Sequence, residues 1–197
     1  MKTKRNVKCL MSVLLVLVFA VSVSACGKSG NGNGGSEGET KYAQAVDVLN
    51  AVLAVYEEND KFAVAGGDME NAVMDGPGKF DVSKTEELDM TLGLPADQAS
   101  SLDDAASMVH MMNANTFTGG AYRLKDGTDV DAFADAVKEN IKNRQWMCGF
   151  PDTLLIIRVD GSYVITAFGN AEIMDTFKAN ALSALDGAEV LVEEPIM

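Results

Sequence analysis

The sequence is poor in the residues that most reactive chemistry uses. Its 197 residues include one histidine, His110, and three cysteines. A Ser-His-Asp or Cys-His centre sets a histidine beside a nucleophile, so His110 is the single candidate, with Cys148 the only thiol beyond Cys26. No His/Cys cluster exists for zinc. Basic residues are also scarce, 16 Lys+Arg against 29 Asp+Glu. Four of them (Lys2, Lys4, Arg5 and Lys8) precede Cys26 in a segment without acids, so residues 26–197 carry 12 basic and 29 acidic side chains, a net charge of −17. That excess argues against nucleic-acid binding, which relies on Lys and Arg neutralising phosphates. Gly66-Gly67 and Gly119-Gly120 lack the context of a phosphate-binding loop. What is present is an apolar fraction of 47%, ordinary for a globular domain and too high for a disordered chain. The length suits one core rather than two large lobes.

The first 26 residues form a three-part address. Residues 1–8 are basic, and Val13 to Val21 is an apolar run of signal-peptide length. Val23-Ser24-Ala25-Cys26 then resembles the lipobox of bacterial lipoproteins. That resemblance implies cleavage after Ala25 and attachment of a diacylglyceryl group to the Cys26 thiol. It divides the chain into a signal peptide (1–25), a lipidated cysteine with a flexible tether (26–40), a single domain (41–185) and an acidic tail (186–197). The alternative is an uncleaved membrane anchor, since residues 9–27 carry no charge and about 20 such residues span a bilayer. Either way the basic flank stays inside and the acidic domain is exported. Residues 27–40 hold six glycines and no large apolar residue, a coil with a reach of roughly 20 Å.

Within the domain, Ala45, Val46, Leu49, Val52, Leu53 and Tyr56 recur at helical spacing and predict a helix over 42–58. Residues 59–82, broken at Gly66-Gly67 and Gly76-Pro77-Gly78, read as a long loop with at most short strands. A short helix is expected over 83–92, with Ser83 as N-cap and Glu86 closing a capping box. Strands are expected over 107–113 and 118–124. A helix capped by Thr128 then runs from 129 to about 147, burying Val130, Phe133, Ala134, Val137, Ile141 and Cys148.

Two apolar runs, 154–159 and 163–168, flank Asp160-Gly161 as a hairpin. A last helix over 171–185 presents Ile173, Phe177, Ala181, Leu182 and Leu185, and 189–192 suits an edge strand. The order strand-strand-helix-strand-strand-helix predicts a two-layer α+β fold. Its four-stranded antiparallel sheet would carry helices on one face, with further helices N-terminal to it.

Residues 86–185 resemble a family of exported lipoproteins of Gram-positive gut bacteria, a domain of unknown function. The resemblance rests on Leu92-Gly93-Leu94, the Met-rich strand 108–113, and Asn143-Arg144-Gln145. Gly149-Phe150-Pro151 and the strand residues Gly161, Tyr163, Val164 and Ile165 complete it. It implies no activity, so it assigns no functional residue.

The remaining chemistry is sparse. His110, inside a strand pattern, reads as a hydrogen-bonded structural residue, and Cys148 as a small buried hydrophobe. Asp126, Asp129, Asp131 and Asp135 form the densest acidic run, yet they lack calcium-loop spacing, and two of them suit a helix N-terminus. No carboxylate pair stands out for glycosidase chemistry. Met108, Met111, Met112 and Met147 are compatible with an adaptable surface or a copper(I) site, but alternating strand positions favour core packing, and Trp146 beside Met147 is expected to pack too. No cofactor, metal or catalytic residue is expected. The expected function is that of a non-enzymatic, lipid-anchored extracytoplasmic protein. It would bind the membrane through Cys26 and act by contact with another envelope protein. The alternative is a small-ligand or solute-binding lipoprotein.

Overall fold

The structure is a computed structural model that describes residues 41–147 and 149–196. The expected signal peptide and tether, Cys26 and Cys148 lie outside the described residues.

The chain opens with helix α1 (Ala45–Ala54), whose first turn carries a reciprocal Gln44/Asp47 capping box. The buried Asp104 carboxylate accepts from the Ala45 amide at 2.8 Å, placing negative charge at the positive helix end. Three short strands follow: β1 (Val64–Gly66), β2 (Val73–Met74) and β3 (Gly78–Phe80). Helix α2 (Thr85–Leu92) ends at Gly93, whose φ of 70° needs no side chain. Its N-cap is Lys84 rather than Ser83, and no side-chain cap forms. Ser83 instead donates its amide to Asp81.

A 3₁₀ turn (Gln98–Ser101) leads to β4 (Leu102–His110) and β5 (Phe117–Leu124). Helix α3 (Val130–Lys142) is capped by Asp129, which accepts from the amides of Asp131 and Ala132. Strands β6 (Thr153–Val159) and β7 (Tyr163–Gly169) form the hairpin, with Asp160 and Gly161 both at positive φ. Helix α4 (Ala171–Ala184) and β8 (Glu189–Pro195) complete the chain.

All eight strands join one antiparallel sheet in the order β2-β1-β4-β5-β7-β6-β8, with β3 also paired to β4. The four-stranded, two-layer expectation is therefore corrected. The sheet has eight strands and is seven across, because β1 and β3 share one edge of β4, and helices cover both faces. On one face α1 and α4 bury Ala106, Met108, Phe117, Leu155, Ile157 and Ile165. On the other, α2 and α3 bury Ala105, Tyr122, Leu154, Ile156, Val164 and Phe168. The physical reason is visible in β6 and β7. Leu154 to Ile157 and Tyr163 to Phe168 are buried without alternation, which a sheet solvated on one side cannot produce.

The 59–82 segment, read as a loop with at most short strands, contributes three strands of two or three residues because β4 has a free edge that β5 does not occupy. There β1 and β3 lie so close that a Cβ on Gly66 would stand 2.1 Å from the Gly78 nitrogen. The tail extends into a seven-residue edge strand, with Glu189, Glu193, Glu194 and Pro195 blunting it against further pairing. In α4 Met174 takes a buried position, while Leu182 is exposed, contrary to expectation.

Candidate functional site

Three connections meet at one end of the sheet: the β4–β5 turn (111–116), the α3–β6 connection (143–152) and the end of α2. Helix α3 stops at Lys142, five residues short of the expected 147, because Asn143 takes the C-cap position and its side chain donates to the Glu139 carbonyl at 2.8 Å. Residues 144–147 therefore leave the helix. Trp146 packs edge-on to Phe168, with ring centroids 5.1 Å apart, and the Arg144 guanidinium lies 5.2 Å from the Trp146 ring centroid.

Polar contacts hold the connections together. Asn115 donates its side-chain amide to the carbonyls of Met147 and Gly149, each at 2.9 Å. Arg144 donates to the Met90 carbonyl. Asn140 donates to Asp89 at 2.8 Å and to the Gly93 carbonyl at 3.0 Å. Carbonyls near the end of α2 thus receive an arginine and an amide, the donors a helix C-terminus favours. Burial pulls the Arg144 pKa down from its usual value, opposed by the charge of Asp89.

Between these elements lies an open cleft of about 400 Å³, lined by Met90, Thr91, Asn115, Arg144, Trp146, Met147 and Phe168 among others. The Trp146 indole N–H is buried with no acceptor among the described residues. Two lining side chains face solvent, Met90 at 56% exposed and Met147 at 80%, and Phe150 in the α3–β6 connection is 64% exposed. The adjoining turn adds Met111 and Met112, which is 85% exposed. Only Met108 of the four expected core methionines is buried. The other three lie past the ends of β4 and α3, where strand and helix periodicity no longer applies.

His110 sits at the end of β4. Its Nδ1 accepts from the amides of Met112 at 3.2 Å and Asn113 at 3.4 Å, and its ring stacks on Phe62 with centroids 5.4 Å apart. The imidazole thereby organises the methionine turn. The acidic run is dispersed over structural duties: Asp129 caps α3, Asp135 pairs with Lys138 at 2.7 Å, and Asp131 lies 4.0 Å from Arg158. Among the described residues no cluster of three His, Cys, Asp or Glu side chains is arranged to hold a metal. Cys148, between Met147 and Gly149, lies outside the described residues.

A second polar centre was not foreseen. Asp68 is 2% exposed, and its carboxylate accepts from Lys84 Nζ at 2.7 Å, from the Asn71 side chain, and from the amides of Glu70, Asn71 and Asp81. Burial pushes its pKa up, but these hydrogen bonds outweigh that and hold the carboxyl well below the usual range. Lys84 rises correspondingly, chiefly through Asp68 and Glu70. The only sequence signal was Asp68 following a Gly-Gly turn, which is a weak one. Every carboxyl among the described residues with a resolved shift (Glu58, Asp68, Asp81, Asp186, Glu194) moves down rather than up, opposite to a general acid poised near neutrality.

No family model, curated protein or solved structure matches this chain.

Proposed function

We infer that this chain is a lipid-anchored binding protein on the outer face of a bacterial cell membrane, acting through contact with another envelope protein. The lipobox-like Val23-Ser24-Ala25-Cys26 and the Gly-rich tether support the anchoring, and the resemblance to exported lipoproteins agrees with it. One observation carries the binding role: solvent-facing Met90 and Met147 line the Trp146 cleft, and the connections that meet there also expose Met112 and Phe150. Exposed apolar side chains gathered at one place mark interaction surfaces. Methionine adapts its shape to a partner at little conformational strain. Arg144 in the cleft lining suits a partner that presents apolar side chains beside a carboxylate.

The test is in-cell photo-cross-linking from three positions of the full-length chain. A photoreactive residue at Met147 or Met112 is expected to capture the same envelope protein, and one at Asp126, beyond the other end of β5, is not. Capture at Met147 should disappear in the Arg144→Glu variant. Equal capture from all three positions, or a Cys26→Ala chain that matures and fractionates like the wild type, would remove the basis of this reading.

A further inference from the structure

The Trp146 cleft holds a cation without a counter-charge. Most of the described Lys and Arg side chains stand against a carboxylate, Lys84 on Asp68 and Lys142 on Glu194 among them, both at 2.7 Å. Arg123, Lys125 and Arg144 have no such partner among the described residues. The first two donate to the carbonyls of Ala43 and Ser100 at the surface, whereas Arg144 lines the cleft. Burial lowers the Arg144 pKa, and the charge of Asp89 raises it. Asp89 nevertheless lies outside salt-bridge distance, and its carboxylate accepts from Asn140 at 2.8 Å. A guanidinium stays protonated in proteins. The cleft therefore carries the desolvation cost of a half-buried cation without the anion that offsets it.

The guanidinium is also fixed in place. One nitrogen donates to the Met90 carbonyl at the end of α2. The group lies 5.2 Å from the Trp146 ring centroid, and that ring is held in turn by Phe168. The other two nitrogens have no hydrogen-bond partner among the described residues, and neither is a buried unpaired atom, so both are open to a guest. A guanidinium carries five N–H donors, and a carboxylate is the acceptor it binds best. The walls beside it are apolar: Met90, Met147, Trp146 and Phe168.

We propose that this cleft binds the carboxyl-terminal residue of a partner polypeptide, with Arg144 taking the α-carboxylate and an apolar side chain lying against Trp146, Met90 and Met147. The inference rests on the binding role proposed above and names what that surface recognises. Charge and apolar wall adjoin, so the guest must carry its carboxylate and its apolar group close together. A chain end bears both on one carbon atom, whereas an internal Asp or Glu holds its carboxylate away from the neighbouring side chain. The volume, about 400 Å³, is at the small end of ligand clefts and suits one chain end. A free amino acid brings an ammonium beside its carboxylate, which Arg144 repels and for which the lining offers no acid. The −17 charge of residues 26–197 opposes any anion, but it is screened beyond roughly 8 Å at physiological salt, which leaves the guanidinium to decide.

Trp146 is the only tryptophan in the chain, so its emission reports on this cleft. The experiment titrates the full-length chain, reconstituted in phosphatidylcholine vesicles, with N-acetylleucine, N-acetylleucinamide and leucine. N-acetylleucine is expected to shift the emission with a dissociation constant of about 1 mM. The amide lacks the charge and leucine adds an ammonium, so each should bind about tenfold more weakly. Arg144→Gln should weaken N-acetylleucine about tenfold, the scale of one hydrogen bond to a charged group, and Arg144→Lys should weaken it less. Because Arg144 also supports the end of α2, Met147→Ala supplies a variant at an 80% exposed position. It should weaken binding about threefold, the scale of one lost methylene contact, at an unchanged melting midpoint. The proposal is overturned if the amide or leucine binds as tightly as N-acetylleucine, if Arg144→Gln leaves the affinity unchanged, or if the emission stays constant up to about 10 mM. The titration needs no partner, so its failure overturns chain-end recognition alone. A positive titration with no protein captured in the cross-linking overturns the envelope-protein reading instead.

Discussion

The β6–β7 hairpin and the 64–84 segment belong to one sheet but are held by different forces. In the hairpin, Leu154 to Ile157 and Tyr163 to Phe168 are buried on both faces between two helical layers. Many apolar contacts share the work, and no single polar group decides the geometry. In the 64–84 segment β1, β2 and β3 have only three, two and three residues. Its shape depends on a few polar anchors. Asp68 gathers four residues around one carboxylate. Ser107 exchanges two hydrogen bonds with Gly67, accepting at 2.8 Å and donating at 3.1 Å. A loss in the shared core weakens the whole fold, whereas a loss at a polar hub releases one segment.

Five predictions break or sharpen that contrast. The largest effect is expected in the hairpin core: Ile157→Ala, at a fully buried site, should destabilise the fold by about 4 kcal/mol. Loss there should be global, so fluorescence and circular dichroism should melt together; separated transitions would mean that the two core layers unfold independently.

Next comes Asp68→Ala. Removing the acid from a buried, hydrogen-bonded ion pair should cost about 3 kcal/mol, and the loss should be local. Amide exchange at Gly67, Asn71 and Asp81 should accelerate well before exchange in β6 and β7. Uniform acceleration over the whole sheet would contradict the idea of a separable polar hub.

The same residue sets an acid response. The folded-state pKa of Asp68 lies below its ordinary value, so its stabilisation is fully present above the unfolded pKa of about 4 and is lost as pH falls through the lower folded value. Urea midpoints measured from pH 5 downward should fall for the wild type and fall less steeply for Asp68→Asn. Parallel curves would assign the acid sensitivity to the exposed carboxylates instead.

Smaller still, Ser107→Ala should cost about 1 kcal/mol by leaving the Gly67 amide and carbonyl without their side-chain partner. At the sheet end Met147→Gln should change stability by less than about 0.5 kcal/mol, since the side chain is 80% exposed, while abolishing capture of the proposed envelope partner. A destabilisation near that of Ile157→Ala would show that Met147 packs rather than binds.

Much of the order of elements was legible from local rules. Asp160-Gly161 marks the hairpin because both residues adopt positive φ, which aspartate and glycine tolerate better than most. The start of α3 was off by one residue, as Asp129 caps it rather than Thr128. Its end was missed because the apolar spacing of 141–148 continues past the point where Asn143 turns the chain. The number of layers was misread although the unbroken apolar runs of β6 and β7 contained the signal. The candidate site was legible only as a methionine count: alternation assigned those residues to the core, and their exposure depends on where β4 and α3 stop.

Turns, caps and apolar periodicity are short-range properties, so the chain by itself determined the hairpins, the four helices and the acidic edge of β8. The proposed N-terminal address is likewise a local reading, resting on Lys2 to Cys26. Tertiary structure alone decided which helix covers which face, that β1 and β3 share one edge of β4, and that Lys84 meets Asp68. It also decided that Met147, Met90 and Trp146 surround one cleft, and that Arg144 reaches the Met90 carbonyl. Those outcomes join residues far apart in the chain, and composition and spacing do not encode the distances that folding closes.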